Sequence, residues 1–170
     1  MKTAARGLAV AILVLVTVTL QISVFDHLSV RGVVPDLAML VVIGAALSRG
    51  ADYGALIGFA AGLIIDLAPP ADHIAGRWAL SLLVVGYVTG LVRTESRLSF
   101  VSMVLAVAAG VFVGTSLFAM SGLVLGEPGV SVGSALRVIP LAVVYDVLLT
   151  PLVVPFVLRL FRRLELSPRW

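Results

Sequence analysis

Apolar residues fall into six runs separated by short polar breaks. Residues 7–24 carry no charge. At ~1.5 Å of helical rise per residue, that run is long enough for ~30 Å of hydrocarbon. Residues 98–125 form a longer uncharged run, and residues 138–158 form another with a single acid inside it. Three shorter runs lie between the first and these two. The pattern predicts helical spans at about 7–25, 36–48, 53–67, 78–92, 98–125 and 138–158. The apolar stretches 37–47 and 53–65 are each short of the ~20 residues a full span needs. Either both cross the membrane with little tilt, or they form a re-entrant hairpin. Both choices return the chain to the same side.

Residues 35–66 are expected to be the structural centre. Asp36 and Asp66 stand at the two far ends of this hairpin, and residues 48–52 form a small charged turn holding Arg49 and Asp52. Pro35-Asp36 suits a helix start, because proline is tolerated in the first turn and a carboxylate there meets the positive end of the dipole. Gly54, Gly58 and Gly62 lie four apart, and the same spacing continues to Asp66. On a helix these positions share a face. In lipid, such a stripe of small residues lets a second helix approach closely. Gly86 and Gly90 repeat the device in the next run. The second helix could belong to this chain or to a partner.

Composition makes the membrane assignment firm. The chain is 61% hydrophobic and 12% charged, with a mean hydropathy of +1.17, against about 25% charge in soluble domains. This is the composition of an all-α polytopic membrane protein, with one membrane domain over residues 1–170 and no stretch for a separate soluble unit. The first run exceeds the apolar region of a signal peptide, and Gln21-Ile22-Ser23 is not a small-x-small site, so an uncleaved first span is expected. With six crossings and a cytoplasmic start, Lys2, Arg6, Arg49, Arg93, Arg97, Arg159, Arg162, Arg163 and Arg169 fall inside. Only Arg31, Arg77 and Arg137 fall outside. That bias puts both termini in the cytoplasm. The basic pI therefore reports topology and not a nucleic-acid surface.

Asp146 is the sharpest anomaly, a carboxylate well inside the last span, between Pro140 and the pair Pro151 and Pro155. A charge at such depth costs at least ~2.5–3.5 kcal/mol unless it is partnered or hydrated. It is either an ion or substrate site, or a structural group paired with Tyr145, a freed backbone N–H or an arginine. The three prolines predict a bent or interrupted helix. Asp36 and Asp66 are placed near the outer interface, as polar helix ends, as an outward-facing binding surface or as a bond fixing the hairpin to its neighbours. Catalysis finds no constellation. There is no cysteine. His27 and His73 lie outside the spans, and neither an HExxH motif nor a metal-ligand spacing occurs. The sequence thus points to a protein that is not an enzyme and needs no cofactor or metal.

Several of these motifs occur together in one known family. Pro35-Asp36-Leu37, the turn at 49–54 and the segment from Gly58 to Leu67, with Gly62 and Asp66, resemble the rod shape-determining protein MreD family. The likeness extends loosely to Gly86 and Gly90, and to the last span around Pro140, Tyr145, Asp146 and Pro151, where the family often carries an asparagine near Asp146. The resemblance implies an inner-membrane scaffold of the cell-elongation machinery. It implies association with a bitopic MreC-like protein, and with the SEDS glycosyltransferase and transpeptidase that build the lateral wall. It also implies a fold similar to the substrate-binding subunits of energy-coupling-factor transporters. The alternative function is therefore a small-solute, vitamin-type binding subunit, for which Asp146 and the broken last span would be the site.

Overall fold

Helices form where the apolar runs lie, but caps set their boundaries more than hydropathy does. The computed structural model describes residues 2–23, 29, 32–69, 74–93 and 99–165. Among them are six helices: α1 (Lys2–Ser23), α2 (Leu37–Arg49), α3 (Ala51–Leu67), α4 (Arg77–Leu91), α5 (Phe100–Val124) and α6 (Val132–Glu165). His27, His73, Asp26 and Asp72 lie outside the described residues.

Gly50 alone separates α2 from α3, at φ +93°, a conformation glycine adopts without steric cost. The charged turn expected over 48–52 is therefore not a loop. Arg49 ends α2, and Asp52 lies in the first turn of α3, where the dipole favours an acid. The last helix differs most from expectation. It starts at Val132 and not near 138, because Ser131 and Ser134 cap it reciprocally. The Ser134 N–H donates to Ser131 Oγ at 3.1 Å, and the Ser131 N–H donates to Ser134 Oγ at 2.9 Å. It also continues beyond 158, through Arg159, Arg162 and Arg163, since arginine ends an apolar run but favours a helix. Nor is it interrupted: the helix is continuous across Pro140, Pro151 and Pro155. Each proline removes one N–H from the ladder. The Thr150 hydroxyl donates to the Asp146 carbonyl at 2.8 Å, one turn back along the helix, while the carbonyl that Pro151 leaves free is that of Val147.

The short helix α2 is the core itself. Every residue from Leu37 to Leu47 is buried, enclosed by α1, α3, α4, α5 and α6. A helix apolar all round is one that is covered all round. By contrast α1 shows one inward stripe, Val10, Val14, Thr17 and Val18, and turns Leu8, Ile12, Leu15 and Leu20 outward. Three helical segments are long and apolar enough to cross a membrane: Ala5–Ser23, Phe100–Val124 and Val132–Arg163. Helices α2 and α4 are apolar but shorter.

The most extensive helix pairing is α3 with α4, and it runs on glycine. A Cβ built on Gly54 would overlap the Gly86 carbonyl, one on Gly58 the Leu82 carbonyl, and one on Gly62 the Trp78 carbonyl. From the other side, a Cβ on Gly86 would overlap Gly54, and one on Gly90 would overlap Ala51. The two backbones touch along the whole stripe. Of the two uses the sequence left open for these glycines, the intramolecular one is seen.

Candidate functional site

Among the described residues, one end of the bundle gathers the buried charged groups Asp36, Asp66 and Arg77. The C-terminal ends of α1, α3 and α5 meet the N-terminal ends of α2 and α4 there. The other end holds Arg49, whose guanidinium lies 4.9 Å from the Tyr53 ring centroid and 5.6 Å from that of Phe161. That cation–π contact ties α2, α3 and α6 together.

At the polar end, α4 begins at Arg77 after Gly76, which has no side chain to cap it. Asp66, at the end of α3, supplies the cap across the helix pair. Its Oδ2 accepts from the N–H of Gly76 at 2.8 Å and of Ala79 at 3.0 Å, and its Oδ1 accepts from Trp78 at 3.2 Å. A carboxylate on three free N–H groups at a helix start satisfies both their valence and the dipole. The fourth position of the glycine stripe therefore fixes α3 to α4 at the point where backbone contact ends.

A second cap of the same kind holds α2. Asp36 Oδ1 accepts from the Met39 N–H at 2.9 Å, and Gln21 Oε1 of α1 accepts from Ala38 at 2.8 Å. Asp146 Oδ1 of α6 accepts from the Asp36 N–H at 2.8 Å. Its own N-cap and two other helices, α1 and α6, thus satisfy the start of α2. Asp36, Asp66 and Asp146 are 6%, 2% and 1% exposed, so none is a helix end out in the headgroups. Asp146 does have a second acid beside it, Asp36, which sequence spacing did not bring together. Asp36 Oδ2 and Asp146 Oδ2 are both buried without a hydrogen-bond partner.

Arg77 was expected in a loop. It is instead the first residue of α4 and is 3% exposed. Its Nε–H donates to Ser121 Oγ at 3.1 Å, and its Nη2 donates to the Phe118 carbonyl at 2.6 Å. Nη1 forms an ion pair with Glu127 Oε2. Glu127 Oε1 accepts from the Ile74 N–H at 3.0 Å. The guanidinium carbon also lies 3.9 Å from the centroid of the Phe118 ring, and Trp78 stacks on that ring at 4.4 Å. One side chain therefore joins α4, α5 and the α5–α6 connection. Between α1, α4, α5 and α6 lies a cavity of about 560 Å³ whose lining includes Gln21, Asp36, Arg77, Trp78, Thr115 and Phe118.

The family model for the rod shape-determining protein MreD matches residues 1–164. The chain belongs to the MreD family. The match includes every helix start and cap described above, from Gln21 to Asp146. Membership gives an MreD-family chain a role in rod-shape determination, and its three membrane-capable helices agree with a membrane protein. No curated protein and no solved structure matches the chain. Two residues central to this MreD-family chain, half-buried Gln21 and buried Arg77, were not recognised from sequence, and Gln21 carried no signal at all. For Arg77 a weak one existed: it immediately precedes Trp78 and an uncharged run, eleven residues after an acid at the end of a small-residue stripe.

Proposed function

We propose that the chain is a non-enzymatic scaffold of the elongation machinery, which holds a bitopic MreC-like protein and supports lateral peptidoglycan synthesis by a SEDS glycosyltransferase and its transpeptidase. The observation that carries this reading is the family match across residues 1–164. The described polar groups also favour it, because they act on helix ends and on each other. The glycine stripe is covered by α4, so a partner helix would use outward apolar ridges such as Leu56, Phe59 and Leu63 of α3. Affinity purification of the tagged chain in mild detergent is the test. Stoichiometric recovery of a single-span protein with a large extracytoplasmic part is expected. A chain recovered alone would sink the scaffold reading.

A second reading has an observation of its own. The cavity beside Asp36 and Trp78 suits a solute-binding subunit with the energy-coupling-factor type of fold. Recovery of cytoplasmic ATPase subunits in the same purification would favour it over the scaffold.

In either case we place six crossings in one membrane domain, with both termini cytoplasmic. At the end of the bundle holding the start of α1 lie Arg6, Arg49, Arg93, Arg159, Arg162 and Arg163, and at the other end Arg77 and Arg137. That asymmetry follows the positive-inside rule. The absence of cysteine makes this simple to test. Single cysteines at residues 5 and 163 should both be shielded from an impermeant thiol reagent in intact cells, and one at residue 129 should react. Labelling at residue 5 or 163 would reject this orientation.

A further inference from the structure

Val138 and Ala142 of α6 line the cavity of about 560 Å³. Asp146 follows at the same four-residue spacing and so continues that face of the helix. It is buried, because the start of α2 closes over it: the Asp36 N–H donates to Asp146 Oδ1 at 2.8 Å. At ~1.5 Å of rise per residue, this meeting point lies ~12 Å along α6 from Val138. The short helix α2 therefore begins well inside the bundle. At its other end Arg49 packs on Phe161 of the same helix α6.

The hydrogen bonds of the two acids leave a definite remainder. Asp36 Oδ1 accepts from Met39, and Asp146 Oδ1 accepts from the Asp36 N–H. Oδ2 of each is buried without a hydrogen-bond partner. Each surrounding helix was checked for a charge that could serve them. On α1, Gln21 is the polar neighbour of Asp36 and its Oε1 is taken by Ala38, while Lys2 and Arg6 are at the far end of that helix. On α3, Asp66 caps α4. On α4, Arg77 turns to Glu127, Ser121 and the Phe118 carbonyl. Helix α5 has no charged side chain. On α6, Arg137 is exposed, and Tyr145 is adjacent in the chain to Asp146 and so belongs to another face. Among the described residues, then, no cation is paired with either carboxyl.

Two carboxylates meeting in a dry site without a cation cannot both keep a charge. One proton resolves the charge and both unpartnered oxygens together, since a protonated carboxyl is a donor and its neighbour an acceptor. Asp36 is the better place for the remaining charge, because it lies at a helix N-terminus and accepts from Met39. We propose that Asp36 and Asp146 bind one proton between them, carried on Asp146 Oδ2 and accepted by Asp36 Oδ2. This O–H···O bond clasps α6 to the start of α2 and closes the face of α6 below the cavity.

Infrared spectroscopy of the full chain in dodecyl maltoside, a detergent without a carbonyl, reads the proton directly. At neutral pH the wild-type chain should show the C=O stretch of one protonated carboxylic acid, shifted in deuterium oxide. Asp146→Asn should abolish the band, and Asp36→Asn should abolish or shift it by changing the acceptor. Thermal midpoints give a second readout. Asp146→Asn puts an amide N–H where the proton was and keeps an acceptor for the Asp36 N–H, so its midpoint should stay within about 2 °C of wild type. Asp146→Ala leaves the Asp36 N–H and Oδ2 both unserved, and should lower the midpoint by about 5 °C. The wild-type spectrum decides even where a variant fails to fold. No acid band in the wild-type chain, or a band that either asparagine variant leaves unchanged, would overturn the proposal. So would an Asp146→Asn chain as unstable as Asp146→Ala, or one far more stable than wild type, the mark of two repelling carboxylates.

Discussion

Gly58→Leu is expected to prevent α3 and α4 from closing, and even Gly58→Ala should cost about 3 kcal/mol or more, the upper part of the range for overpacking. The reason is what the new atom would meet. At Gly58 it is the Leu82 carbonyl and the following amide, which are helix backbone and cannot rotate away. Accommodating one methyl group would separate two helices that are joined at Gly54, Gly58 and Gly62 on one side and at Gly86 and Gly90 on the other. In lipid no hydrophobic term compensates, because the separated faces are as content in acyl chains as against each other; close packing is itself the driving force. Two control positions keep the claim specific. At Gly114 the nearest atoms to an added Cβ are Met39 Cε at 2.7 Å and Val85 Cγ2 at 2.8 Å. The thioether end moves readily but the buried β-branched valine does not, so Gly114→Ala should cost about 2 kcal/mol, the middle of the same range. At Gly133 only Ser131 Oγ lies near, at 3.9 Å, and alanine there should be neutral or slightly stabilising, by up to about 1 kcal/mol. Thermal midpoints of the three purified variants in one detergent decide the matter. Equal midpoints for Gly58→Ala and Gly133→Ala would refute the backbone-contact account. A loss of partner binding in Gly58 variants would then report a fold defect before it reports a docking surface.

Much of this was legible from the chain because its physics is local or periodic. Uncharged runs locate helices, so all six were found. The four-residue glycine spacing announced a close approach, and its continuation to Asp66 announced that the acid lies on the same face. What a period cannot say is which helix fills that face. Helix ends were less legible where a cap, and not a change in hydropathy, sets them. The Ser131–Ser134 pair starts α6 inside a stretch rich in loop residues, and the arginines after Leu158 look like an end although they continue the helix. The long-range polar contacts were not legible at all. Asp36 and Asp146 are 110 positions apart, and each read alone as an isolated acid. Their meeting depends on α6 lying against the start of α2, a fact of three-dimensional packing. Arg77 was misplaced for a related reason. An arginine beside a loop is ordinarily solvated, and only the arrival of Glu127, Phe118 and Ser121 from α5 and beyond makes burial tolerable.

That arginine gives the second large effect. Arg77→Leu should destabilise the protein by about 3–5 kcal/mol, the usual result of removing one partner from a buried pair. The Glu127 side chain is 10% exposed and would keep its charge without the guanidinium. Ser121 Oγ and the Phe118 carbonyl would lose donors as well. Lysine should not substitute, since one ammonium cannot reach three acceptors in a plane and also lie flat over the Phe118 ring. The informative comparison is the double variant Arg77→Leu/Glu127→Gln. The glutamine retains an acceptor for the Ile74 N–H and removes the unpaired charge, so much of the loss should return. Recovery would show that the cost lies in the stranded carboxylate, in line with the small or negative net worth of many buried pairs relative to neutral replacements. No recovery would put the cost in the arginine's own contacts with α5, and a single variant as stable as wild type would mean that water reaches the pair freely. The choice matters for the rest of the molecule, because Arg77 joins the start of α4, held by Asp66, to the end of α5. If the pair is structural, the α5–α6 connection at Glu127 and the α3–α4 connection at Ile74 unfasten together, and hydrogen exchange in Arg77→Leu should rise at both while the buried helix α2 stays protected.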